Sequence, residues 1–313
     1  MPSLTDQFLD LPSGRTHYRV DGSPSGPIVV LIPGATLPMF VWDGLAESLI
    51  DAGYRVVRYD LLGRGASAVP RVAYGADLYQ HQLAELLQRL AVARPVHLVA
   101  LAFGTIIAAD FADRHPERLA SLTYVAPDGF GVHTTRFGRL MKLPGVGELL
   151  LHAAGTKILL SRLPRYSHRT EVIDALRDKF RPYVSAPGFQ RAVLSSIRRM
   201  PIQDATSLYA RVDGRGIPTL VLWGREDRIA PLPEHSTLRK SLPGAEIQIL
   251  DQTGHLPHVE RETETAALLT NFLAQTSGTD LESVCERGCV GFGATGITAD
   301  CHELTVRPGR ALE

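Results

Sequence analysis

The sequence predicts an α/β fold, built as a mostly parallel eight-stranded sheet with helices on both faces and a helical insertion. Three observations carry this prediction. Short apolar runs alternate with stretches of helical period along most of the chain. Runs such as Pro95-Val96-His97-Leu98-Val99 are short, apolar and β-branched, which suits a buried strand. The alternation stops over residues 129–216 and resumes after them. With 313 residues, 44 % of them hydrophobic, the chain is long enough for one large domain carrying an insertion.

The first two strands, 7–11 and 16–21, fit an opening hairpin. Further strands are expected at 28–32, 55–60, 96–101, 119–125, 219–223 and 246–250. Helices are expected at 42–52, 76–90, 103–114, 234–242 and 262–275. In the helix at 103–114, Ile106, Ile107, Ala109 and Phe111 are apolar at helical spacing. These elements divide the chain into a core of residues 1–128 and 217–275, a helical cap of residues 129–216, and a tail of residues 276–313. The tail is rich in Gly, Thr and polar residues without a sustained period and is expected to be flexible.

The cap segment has no strong strand signal but is rich in aliphatic residues, among them Leu140, Leu149 and Leu159. These three are expected to line a binding pocket for a lipophilic group. The segment is also basic. Residues 130–216 hold 15 Lys/Arg against 6 Asp/Glu, which the rest of the chain balances to equal totals of 33. Such a segment faces solvent, an anionic substrate or a membrane surface. The overall balance gives no sign of a nucleic-acid partner. No apolar run reaches the roughly 18 residues of a membrane span, and Met1-Pro2-Ser3-Leu4-Thr5-Asp6 has no signal-peptide pattern. The expectation is a cytoplasmic protein without integral membrane association. Cys285, Cys289 and Cys301 all fall in the tail, and with His302 their spacing is loose for zinc. No metal or cofactor is expected, and the composition leaves the oligomeric state open.

The chemistry concentrates in four segments. Ala100-Leu101-Ala102-Phe103-Gly104 lies between a predicted strand and a predicted helix, where a sharp G-x-S-x-G turn would present a nucleophile. Here the serine position is Ala102. Ile32-Pro33-Gly34-Ala35 follows an early strand, Trp223-Gly224-Arg225-Glu226-Asp227 follows a late one, and Gly254-His255-Leu256-Pro257-His258 follows the last. Two further runs are Asp60-Leu61-Leu62-Gly63-Arg64-Gly65-Ala66-Ser67 and Arg114-His115-Pro116-Glu117-Arg118-Leu119.

This order of nucleophile position, acid and histidine resembles the α/β-hydrolase family over roughly residues 5–275. The nearest likeness is to capped carboxylic-ester hydrolases, with monoacylglycerol-lipase-like enzymes and C–C-bond hydrolases among the relatives. The resemblance implies His255 as the base and Asp227 as its partner, with the Ala35 and Phe103 amides as oxyanion donors. Asp128, in a Pro-Asp-Gly turn, is a backup acid, because some members place their acid there. His258 is read as structural or pocket-lining. Pro33 departs from the family pattern, in which His often stands there, and Ala100 replaces the first elbow glycine.

Ala102 admits two readings. In one, an inactivating Ser→Ala change stands in a serine hydrolase for a lipophilic ester. In the other, a natural protein without the nucleophile binds a small molecule or uses His255 and Asp227 as an acid/base pair, as a lyase or isomerase does. A C–C-bond hydrolase is a further alternative.

Overall fold

The computed structural model describes residues 6–131 and 136–277. The cysteines, His302 and the expected tail from residue 278 onward lie outside the described residues. The eight expected strands are present: β1 (Gln7–Leu11), β2 (Gly14–Gly22), β3 (Ile28–Ile32), β4 (Arg55–Tyr59), β5 (Val96–Leu101), β6 (Leu119–Val125), β7 (Thr219–Gly224) and β8 (Glu246–Leu250). They form one sheet in the order β1-β2-β4-β3-β5-β6-β7-β8. β1 and β2 pair antiparallel, as does β2 with β4, and all later pairs are parallel. Every residue of β5, β6 and β7 is buried, so these strands are apolar on both faces apart from His97, Ser121, Thr123 and Thr219.

Helices α1 (Asp43–Asp51), α2 (Ala76–Arg89) and α3 (Phe103–Arg114) link the early strands. Helices α4 (Arg136–Lys142), α5 (Val146–Leu160), α6 (Thr170–Val184), α7 (Phe189–Arg199) and α8 (Thr206–Asp213) lie between β6 and β7. The chain continues through α9 (His235–Ser241), α10 (Pro257–Glu260) and α11 (Glu262–Ser277). One helix layer contains α1, α10 and α11; the other contains α2, α3, α8 and α9.

The insertion leaves and rejoins the core through a short antiparallel neck. Phe130 pairs with Asp204, the Gly131 amide donates to the Gln203 carbonyl at 2.8 Å, and the Ala205 amide donates to the Gly129 carbonyl at 2.8 Å. Beyond the neck, α4 to α7 pack among themselves, whereas α8 packs on α3 and α9. The segment 129–216 therefore contains one helix that serves the core.

The sheet order also fixes where a site can form. From β3 the chain moves outward to β4, then returns to place β5 on the other side of β3. The carboxyl ends of β3 and β5 thus flank a point where the winding reverses, the general location of ligand sites in open α/β sheets. The Ile32-Pro33-Gly34-Ala35 loop and the Ala102 turn both emerge there.

Candidate active site

Ala102 ends β5 at φ +48° and ψ −113°, a conformation that side-chain-bearing residues rarely adopt. The turn is held on several sides. The Ala102 amide donates to the Val125 carbonyl at 2.9 Å, and the Ala102 carbonyl accepts from the Thr105 amide at 2.9 Å and from the Thr105 hydroxyl. Gly104 is required for space. A Cβ there would stand 2.6 Å from the Pro33 carbonyl oxygen and 2.9 Å from that of Ile32. Phe103 is the first residue of α3, so its amide belongs to the helix end whose N–H groups have no intrahelical acceptor. Backbone strain of this kind costs about 1–3 kcal/mol and persists where the surroundings over-determine it.

Asp227 and His255 meet from two loops. Asp227 Oδ1 accepts the amides of Ile229 at 2.7 Å and Ala230 at 2.9 Å, which leaves Oδ2 for His255 Nδ1 at 2.8 Å. Both side chains are almost wholly buried. The carboxylate accepts, so Nδ1 carries the hydrogen and Nε2 keeps its lone pair. Burial alone pushes the imidazole pKa down. The charge and hydrogen bond of Asp227, with smaller help from Asp128 and Glu260, outweigh it and hold His255 above its ordinary 6.5. The two loops interlock through backbone, since a Cβ on Gly224 would lie 2.0 Å from the Gly254 carbonyl oxygen.

Asp128 stands beside this pair. Its carbonyl accepts the Tyr209 hydroxyl at 2.8 Å, and Tyr209 also bonds Thr105 at 2.7 Å. Burial pushes its carboxyl pKa up to about 6, against the opposing charges of His255 and Arg162. His258 is buried against Trp42, with ring centroids 4.3 Å apart, and its Nε2 donates to the Val41 carbonyl at 3.1 Å. Burial pushes His258 down to about 3, which keeps it neutral.

Two residues that sequence reasoning did not single out reach this site. Tyr166, which follows the short turn Leu163–Arg165 in the insertion, accepts the His255 amide on its carbonyl at 2.9 Å. Its ring lies edge-on to the imidazole at 5.3 Å, and its hydroxyl bonds Thr36, next to Ala35, at 2.8 Å. Arg64 is buried, and its Nε donates to the Ala35 carbonyl at 2.5 Å while Nη2 donates to Ser196 at 2.9 Å. Arg64 lies in the Gly63-Arg64-Gly65 run quoted above, whereas no local pattern marks Tyr166. Of the expected cap residues, Leu159 is buried, while Leu140 and Leu149 stand exposed on the insertion.

The model of the alpha/beta hydrolase family matches residues 29–268. The chain belongs to that family. It is 30 % identical to 2-hydroxymuconate semialdehyde hydrolase of Pseudomonas putida, over 87 % of this chain and 90 % of that protein. It is 25 % identical to monoacylglycerol lipase abhd6-B of Xenopus laevis, over 84 % of this chain and 80 % of that protein. Among solved structures, Cfl2 from Burkholderia cenocepacia is similar in fold, with a TM-score of 0.74, 23 % identity, and coverage of 87 % of this chain and 97 % of that one. By fold and kinship this is a hydrolase of the α/β-hydrolase type.

Proposed function

We propose that the chain is the scaffold of a serine carboxylic-ester hydrolase for a lipophilic substrate, with alanine at the nucleophile position. The observation that carries this reading is the strained, multiply bonded turn at Ala102 beside a buried, ordered Asp227–His255 pair. A turn held at such cost is accounted for when position 102 presents a reactive side chain, and a methyl group has no lone pair to attack a carbonyl. The lipase relative and the aliphatic insertion, with Leu159 buried within it, support a lipophilic ester.

With serine at 102, the chemistry follows from the groups present. His255 Nε2 takes the hydroxyl proton as the serine oxygen bonds to the ester carbonyl carbon. The Ala35 and Phe103 amides bind the resulting oxyanion. As the carbonyl re-forms and the C–O bond to the alcohol breaks, His255 returns the proton to the leaving oxygen. Water then repeats the sequence on the acyl-enzyme and releases the acid. Asp227 fixes the imidazole tautomer and stabilises its cation throughout.

The test compares this protein with its Ala102→Ser variant on p-nitrophenyl esters of increasing chain length. Hydrolysis is expected from the variant alone, rising with pH through an inflection above 6.5 and falling about 10²–10⁴-fold on His255→Ala. Absence of hydrolysis from both proteins overturns the reading. The intact Asp227–His255 pair favours one second reading, acid/base chemistry or small-molecule binding without a nucleophile. That reading requires turnover or binding by the Ala102 protein itself. Relatedness to 2-hydroxymuconate semialdehyde hydrolase keeps C–C cleavage in the same substrate screen.

A further inference from the structure

Among the described residues, five large hydrophobic side chains are exposed, and three of them fall within residues 140–149: Leu140, Leu143 and Leu149. Leu149 is the most exposed, at 67 %. They crown the turn between α4 and α5, where Pro144 is exposed as well. The turn is firmly built. The Leu143 amide donates to the Leu140 carbonyl at 3.1 Å, and the Leu149 amide donates to the Gly145 carbonyl at 3.0 Å. Arg198 of α7 donates to the Leu143 carbonyl at 2.8 Å and pairs with Glu148. The leucines are therefore presented on an ordered knuckle.

Next to the knuckle lies a depression of about 390 Å³ lined by Glu148, Arg191, Leu194, Ser195, Arg198 and Arg199. Arg198 and Glu148 neutralise each other. Arg191 bonds the neutral carbonyls of Val69 and Pro70, so its charge is uncompensated by them, and Arg199 is exposed. Arg139 and Lys142 lie in the last turn of α4, which leads into the knuckle. Exposed aliphatic side chains with cations in the adjoining depression and in the last turn of α4 match the acyl–headgroup boundary of an anionic bilayer. A second copy of the chain would instead bring one basic segment against another, and exposed leucines add nothing to recognition of a nucleic-acid backbone.

We propose that the α4–α5 knuckle and the adjoining arginine depression form a docking surface for an anionic phospholipid bilayer. Leu143 and Leu149 enter the interfacial region while Arg191, Arg199, Arg139 and Lys142 meet the phosphates. The proposal goes beyond the catalytic reading and does not depend on it, because docking needs no nucleophile.

The experiment is co-sedimentation of the full Ala102 chain with vesicles of phosphatidylcholine alone, or of phosphatidylcholine mixed with phosphatidylglycerol. Binding to the mixed vesicles is expected, with little to the neutral ones, and it weakens as salt screens the cations. The double substitution Leu143→Asp/Leu149→Asp is expected to reduce binding at least tenfold, and Arg199→Glu roughly fivefold or more. These side chains are exposed, and unchanged thermal melting confirms that the variants fold. Failure to bind mixed vesicles, or binding indifferent to the leucine substitutions, overturns the proposal. So does a vesicle-independent dimer that Leu149→Asp dissolves, which would assign the face to a second copy.

Discussion

The main-chain carbonyl of Tyr166 accepts the amide hydrogen of His255 at 2.9 Å. One residue of the insertion thereby holds the backbone of the histidine loop, the edge of its imidazole and, through Thr36, the loop that carries Ala35. Nearby contacts reinforce this seam. Ser167 Oγ donates to Glu260 at 2.8 Å, and the other oxygen of Glu260 accepts the Gly254 amide at 2.9 Å. The part of the insertion around residues 166–169 is thus bonded to the loop that carries His255 and to Glu260.

Tyr166 is accordingly expected to act as a positioning residue. In the Ala102→Ser protein, Tyr166→Ala keeps the main-chain bond to His255 but removes the ring set edge-on to the imidazole and the hydroxyl bond to Thr36, and should lower kcat about tenfold while changing KM less. Tyr166→Phe and Thr36→Val remove the same hydrogen bond, so each should cost about 1 kcal/mol of stability and the double variant little more than either. Additive losses in a double-mutant cycle by chemical denaturation would show that the two hydroxyls act separately.

Asp128 should make stability pH-dependent. Its folded pKa of about 6 lies above the ordinary 3.8, so the folded state favours the neutral acid. That contribution is fully present below about 3.8 and is lost as pH rises through 6. Asp128→Asn is therefore expected to melt at the same temperature as the parent near pH 4, and a few degrees higher at pH 7 to 8. Melting curves of the two proteins across this range check the sign. A variant less stable at pH 8 would mean that the ionised carboxylate has partners worth more than its burial.

The elbow gives opposite expectations at neighbouring positions. Ala102→Gly relieves a φ of +48° and should raise stability by about 1 kcal/mol, net of the extra entropy that glycine loses on folding. Gly104→Ala drives a Cβ into the Pro33 and Ile32 carbonyl oxygens and should cost about 1–3 kcal/mol. Urea denaturation midpoints of the two variants should move in opposite directions from the parent.

All eight strands were legible in the sequence because strand signals are local. A run such as Ile28-Val29-Val30-Leu31-Ile32 is apolar and mostly β-branched in any context, and Gly26-Pro27 and Pro33-Gly34 bound it. The Asp227–His255 pair was legible through the order and neighbours of the two residues, and the geometry places them in contact. The insertion was less transparent. Helices α6 and α7 have amphipathic faces and α5 is apolar nearly all round, but sequence period does not say whether a face turns to the sheet, to another inserted helix or to solvent. Leu159 and Leu149 look alike in sequence, yet the first is buried and the second exposed. Tyr166 and Arg64 act through partners far along the chain, Tyr166 on Thr36 and His255, Arg64 on Ala35 and Ser196. Contacts of that range follow only from the completed fold.

The neck at Phe130 and Asp204 has an implication for how such a chain diversifies. Because the two segments of the neck are bonded to each other and β6 pairs directly with β7, the sheet is continuous whatever is hung beyond the neck. The segment between is therefore a replaceable cassette, open to exchange or lengthening at small entropic expense to the rest of the molecule. The seam at Tyr166 limits that freedom, since any replacement must bring its own acceptor for the amide of His255.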